Sequence, residues 1–376
     1  MHFSFSMKTS ISIGRIMGIP IKLHITFLLI LPVFAYFFAL STVNIMGFTL
    51  GFGDVSSSII KYVFGALAAV MFFVCVLLHE LGHSYVALRY QTKIKNITLL
   101  IFGGLASMEE IPRKPSTECS IALAGPLVSI LIGLLSLMLF FFLHQTTSML
   151  LYVKTLFGIL AFYNIFLAGF NILPAFPMDG GRVLRAFLAT RMGYLEATEK
   201  AAGVGKIFAI FMGILGFFLL LGGPGGVWFI LIAFIIYIGA SEEEKSTIVA
   251  VTLEGVKVKD IMTADVVTVP PAMNVSELVD FMLKTKHMGY PVFDGKPLGI
   301  VTLNDVRKIP VENRSNTTVK DIMTDNIISV KPEMNAVDAL KIMVKHNIGR
   351  LLVMENNLLV GIVSRTDLIR SVQILK

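Results

Sequence analysis

Val74-Cys-Val-Leu-Leu-His-Glu-Leu-Gly-His-Ser84 sets two histidines and a glutamate inside a run that is otherwise apolar. On a helix His79 and His83 share one face, four residues apart, so their imidazoles can hold a single metal ion between them. Glu80 projects about 100° away, within reach of a water held by that ion. An ionisable side chain near the middle of a membrane helix costs about 2.5 to 3.5 kcal/mol on insertion scales, so three within five positions call for compensation. A metal supplies it, whereas histidines satisfied by carbonyls or by each other leave most of the cost standing.

The surrounding chain is of the membrane class. Its 376 residues are 55% hydrophobic and only 15% charged, with a mean hydropathy of +0.78, which excludes an ordinary soluble enzyme. The long uncharged runs lie before Ser241, and the chain beyond that residue reads as a normal globular sequence. A helix of about 20 apolar residues crosses a bilayer core, and six segments are expected to do so, at 23–40, 62–88, 119–143, 149–171, 207–221 and 226–240. The last two form a hairpin around Gly222-Gly223-Pro224-Gly225-Gly226, whose residues cannot continue a helix. The first run comes after Lys8, Arg15 and Lys22 and also fits a signal peptide or signal anchor, but its length and the spans after it favour a true span.

Lys and Arg gather before the first span, between the second and third (Arg89, Lys93, Lys95, Arg113, Lys114) and after the fourth (Arg182, Arg185, Arg191, Lys200), and are scarce in 41–61 and 144–148. The positive-inside rule then predicts a multi-pass cell-membrane protein with both termini cytoplasmic. The net charge of +7 is a consequence of that topology and is no sign of a nucleic-acid partner. Cys75 and Cys119 are the only cysteines and imply no disulfide framework.

Catalytic zinc takes three protein ligands and keeps one position open. The candidate third ligand is Asp179 in Asn171-Ile-Leu-Pro-Ala-Phe-Pro-Met-Asp-Gly-Gly-Arg182, where Pro174 and Pro177 remove backbone donors and break the fourth span. Broken backbone at membrane depth is tolerated only where protein or water lines it. Glu109, Glu110 and Glu118 are the alternatives, in a polar stretch that reads as a solvated cytoplasmic loop. Ile97-Thr-Leu-Leu-Ile-Phe-Gly-Gly-Leu-Ala-Ser107 reads as a small β element, either a strand that accepts a substrate chain as its neighbour or an interfacial hairpin. His24 fits the entrance to the site or a snorkelling position.

Late in the chain a unit repeats. Val258-Lys-Asp-Ile-Met-Thr263 recurs as Val319-Lys-Asp-Ile-Met-Thr324, and each copy closes on Gly-Ile-Val-[Thr/Ser]-x-x-Asp, at Gly299 to Asp305 and Gly361 to Asp367. Thr302 and Ser364 offer a hydroxyl suited to a phosphate, and Asp305 and Asp367 can accept from ribose hydroxyls. The same aspartates also fit plain helix N-caps. Over 257–376 the pattern resembles tandem cystathionine-β-synthase (CBS) modules, a likeness that implies a soluble α/β disc, clefts for an adenine nucleotide and a homodimer formed through the modules.

His79 to His83 together with Asn171 to Gly181 resembles the prokaryotic branch of the site-2 protease family of intramembrane metalloproteases. The likeness extends to Gly18-Ile-Pro-Ile-Lys-Leu-His24, Phe102-Gly-Gly104 and Ala124-Gly-Pro126. It implies one Zn2+ on His79, His83 and Asp179, Glu80 as general base and acid, and Asn171 holding the substrate carbonyl or its oxyanion. Ser129 stands where many relatives carry Asn. The expectation is therefore an α-helical polytopic protease domain over 1–241, a linker at 242–256, and CBS domains at 257–314 and 315–376, cutting transmembrane protein substrates within the lipid bilayer. A CBS-regulated transporter or channel is the competing reading, since polar groups at membrane depth also mark ion paths.

Overall fold

The computed structural model describes residues 10–45, 48–100, 103–108, 113–143 and 148–375. Two compact units divide between Glu244 and Lys245. The first opens with strands β1 (Ser10–Ile16) and β2 (Ile19–His24), then α1 (Ile25–Leu40), the short pair β3 (Asn44–Ile45) and β4 (Phe48–Thr49), and the long helix α2 (Ser58–Arg89). Next come a hairpin of β5 (Ile94–Leu100) and β6 (Gly103–Met108), then α3 (Pro115–Phe142), α4 (Ser148–Ile172), α5 (Asp179–Leu188), α6 (Tyr194–Gly222) and α7 (Gly226–Thr252).

Five of these helices, α2, α3, α4, α6 and α7, are long and apolar enough to span a bilayer, and no more than 39% of the apolar stretch of any of them is buried within the protein. Apolar surface left outward on that scale is costly in water and costs nothing against lipid tails, so the unit is a multi-pass membrane domain. The expected first span is the exception. With 16 residues, α1 is about 24 Å long, short of the ~30 Å hydrocarbon core. His24 is buried, and as N-cap of α1 its Nδ1 accepts from the Thr26 backbone N–H at 3.3 Å.

The β element is larger than the one expected. Strands β1, β2, β5 and β6 form one sheet in that order, with β2 and β5 parallel at its centre. Alternation along β2 and β5 turns Ile19, Ile21 and Ile97 onto Leu81 of α2, so the sheet lies across the segment that carries the histidines. The turn between α4 and α5 is braced by small residues: Phe176 packs with Ala201, Ala202 and Ala240, and Ala175 and Met178 with Ala209 and Ile236.

Helix α7 continues to Thr252, so most of the expected linker at 242–256 is helical. The second unit then runs through α8 (Val275–Thr285), β7 (Gly289–Asp294), β8 (Lys296–Thr302), α9 (Leu303–Arg307), α10 (Val319–Ile322), β9 (Ser329–Val330), α11 (Ala336–His346), β10 (Arg350–Glu355), β11 (Leu358–Ser364) and α12 (Arg365–Leu375). The two repeats exchange their openings. Thr263 bridges Ile362 and Thr324 bridges Ile300; Val258 is buried in the core of the second repeat and Val319 in that of the first. Across the expected boundary between residues 314 and 315, the opening of each repeat therefore packs into the core of the other.

Candidate active site

Three side chains from two distant parts of the chain converge beneath the sheet. His79 and His83 are both buried, and their Nε2 atoms lie 3.2 Å apart. One carboxylate oxygen of Asp179, Oδ2, is 3.3 Å from His79 Nε2 and 3.1 Å from His83 Nε2. Among the described residues no other set of His, Cys, Asp or Glu groups gathers this way.

The outer shell sets which nitrogen faces inward. The Ile121 carbonyl can only accept, so His83 Nδ1, 2.7 Å away, carries the proton and Nε2 keeps a lone pair. His79 Nδ1 hydrogen-bonds Ser129 Oγ at 2.9 Å, a contact that orients the ring. With His79 in the same tautomer, two lone pairs and a carboxylate oxygen face one another, which is the donor set of a cation site. Ligands about 2.0 to 2.1 Å from a tetrahedral zinc stand roughly 3.3 Å from each other, and the observed spacings of 3.1 to 3.3 Å match. The residues fit a zinc ion.

Backbone closeness is part of the construction. A Cβ on Gly125 would fall 2.2 Å from His83 Nε2, and one on Gly104 would fall 2.3 Å from Glu80 Cγ. Bare backbone of α3 thus abuts the ligand pair, and β6 runs directly over Glu80. In the sheet β6 is an edge strand, bonded to β5 on one side.

The other expected residues fare differently. Asn171 is in the last turn of α4, and its amide donates to the Leu167 carbonyl at 3.0 Å, a bond within its own helix. Glu109 and Glu110 lie outside the described residues. Glu118 is not solvated but buried, because the buried Arg185 guanidinium donates to it, Nε to Oε1 at 2.8 Å. Gly125 and Ser129 were noted in the sequence without a role and the Ile121 carbonyl was missed; their α3 positions at four-residue spacing were the available signal.

In the second unit the closing signatures are capping boxes. Asp305 Oδ2 accepts from Thr302 N and Oγ1 at 3.0 and 2.6 Å, and Asp367 Oδ2 from Ser364 N and Oγ at 2.9 and 2.6 Å. The hydroxyl residues are the N-caps and the aspartates stand three positions inside, the reverse of the plain cap expected for Asp.

Comparison with known proteins gives the family. The model of peptidase family M50 matches residues 67–150 and 144–215, and the CBS domain matches 258–312 and 319–374. The chain is 39% identical over 373 residues to zinc metalloprotease MJ0392 of Methanocaldococcus jannaschii, covering 98% of both. It is also similar to the solved structure of a site-2 protease from the same organism, at 39% identity and a TM-score of 0.43 over 62% of this chain and 95% of the other. With a match of that length across membrane domain and repeats alike, the chain belongs to the site-2 protease family, peptidase family M50, and is a zinc metallopeptidase carrying a CBS pair.

Proposed function

We propose that the enzyme hydrolyses peptide bonds in or near transmembrane segments of membrane-tethered proteins, with His79, His83 and Asp179 as zinc ligands. The convergence of three ligand atoms within 4.8 Å of one another carries this reading, because the histidines belong to a bilayer-spanning helix. Zinc held by these three residues would supply Lewis acidity toward the scissile carbonyl and lower the pKa of a water to near neutrality. Glu80, next to His79 on α2, takes the proton of the attacking water and hands it to the leaving amine. Asn171, released from the Leu167 carbonyl by a side-chain rotation, would donate to the developing oxyanion, a contact worth about 2.7 to 4 kcal/mol in other enzymes.

A helical substrate hides its carbonyls in its own hydrogen bonds, so cutting needs an extended segment and partners for its backbone. The open edge of β6 beside Glu80 offers them by strand addition. Leu105→Pro in β6 tests this more sharply than Leu99→Pro, because β5 is an inner strand bonded to both β2 and β6. Zinc retention with loss of cleavage is expected for Leu105→Pro; unaltered cleavage refutes strand addition.

An adenine nucleotide at the CBS pair would regulate the protease only by binding its open and closed states unequally. Cleavage that ignores saturating ATP, and is also unchanged by deletion of 246–376, rules this out. The Lys and Arg distribution favours cytoplasmic termini, an arrangement that needs the short apolar helix α1 to cross along with the five longer helices. The central test compares membrane proteomes of cells expressing the parent or Glu80→Gln: substrates lose a cytoplasmic fragment only with the parent, and identical proteomes overturn the reading.

A further inference from the structure

Arg185 is among the largest fully buried side chains of the protein, at 1% exposure. It sits on α5, the ten-residue helix whose first residue is Asp179, about 9 Å along the axis. Its Nε and Nη2 both donate to Oε1 of Glu118, on α3, and its Nη1 donates to Glu243 Oε1, on α7, at 2.7 Å. The guanidinium also stands 4.9 Å from the centroid of Phe176 and 5.1 Å from that of Tyr194. Phe176 is buried in the turn that delivers Asp179.

Buried charge on this scale is expensive, and breaking such a pair exceeds the cost of never having built it. A hydrophobic contact would hold α5 against α3 without direction; a forked donor on one carboxylate oxygen fixes distance and rotation together. The partner helix is the significant one. α3 also contributes the Ile121 carbonyl and Ser129 hydroxyl that orient His83 and His79, three and eleven residues along from Glu118.

We propose that Arg185 is a positioning residue of the metal centre: by gripping Glu118 on α3, Glu243 on α7 and the Phe176 ring, it sets Asp179 Oδ2 in register with the two imidazoles that α3 orients. The inference rests on the reading of His79, His83 and Asp179 as a zinc site. It predicts that loosening the grip changes coordination without dismantling the fold.

The decisive variant is Glu118→Gln, which keeps the shape and an acceptor oxygen while Glu243 still compensates the guanidinium. Full-length protein in detergent is compared with its parent for zinc retained against a graded chelator and, after exchange to Co2+, for the visible ligand-field spectrum. Zinc loss at about 10-fold lower chelator and an altered cobalt band are expected, with an unchanged elution profile. Arg185→Lys, which keeps charge but not the fork, should do the same. A folded Glu118→Gln protein with parental zinc retention and cobalt spectrum overturns the positioning role alone. A parent without stoichiometric zinc overturns both this and the metal-site reading.

Discussion

Carboxylates at helix starts do opposite work in the two units. In the CBS pair Asp305 and Asp367 spend an oxygen on the backbone N–H and hydroxyl of their own N-cap residue, and Asp321 does the same with Thr318. Asp179 also opens a helix, but its N-cap, Met178, makes no side-chain cap bond, and its Oδ2 faces two imidazole nitrogens from another helix. A carboxylate that completes its own helix stabilises locally, worth roughly 1 kcal/mol. One left unspent there, half-buried and aimed at two imidazole nitrogens, has the placement of a candidate metal ligand.

That contrast can be broken at either end. The largest effect is expected from Asp179→Ala, which removes the proposed third ligand: metal analysis should find zinc lost, and peptide cleavage should fall below detection. Full zinc occupancy in this variant would end the distinction between the two kinds of aspartate. Gly125→Ala should come next, because its methyl group would meet His83 Nε2 at 2.2 Å; α3 must shift away from the ligand pair, and zinc content should drop in a protein that still inserts into membranes.

Ser129→Ala sharpens the comparison by removing an outer-shell partner while sparing every ligand. Loss of such partners typically lowers metal affinity by about 10- to 100-fold, so competition with a chelator should show a shift of that order. The smallest effect belongs to the second unit. Ser364→Ala removes a helix cap at a cost of about 1 kcal/mol, and amide exchange in α12 should quicken roughly 5-fold by that measure, with zinc content unchanged. A change in zinc content would mean that this cap reaches the metal after all.

Much of the site is legible in the sequence. The zinc helix announces itself because two histidines and a glutamate in an apolar run are too costly to be incidental, and the broken span marks Asp179 because Pro-rich backbone at that depth needs a lining. The repeats are legible because both carry their opening and closing signatures in register. Sequence reasoning fails where polarity stands in for exposure. Glu118 falls within a run containing Arg113, Lys114, Ser116 and Thr117, and nothing local says that Arg185, distant in sequence, will be buried against it. His24 escapes for a similar reason: its role as a cap depends on a strand ending where α1 begins.

The sequence by itself determined the class of the protein, the rough place of its apolar helices, the candidate metal-binding residues and the twofold repeat. These are properties of short windows, set by hydropathy, periodicity and spacing. Only the tertiary structure decided that α3 orients both imidazoles, that β6 lies against Glu80 with an edge open, that Arg185 joins three helices, and that the repeats exchange their openings. Each of these is a meeting of segments far apart along the chain, fixed by which surfaces bury one another, and no local pattern records the partner.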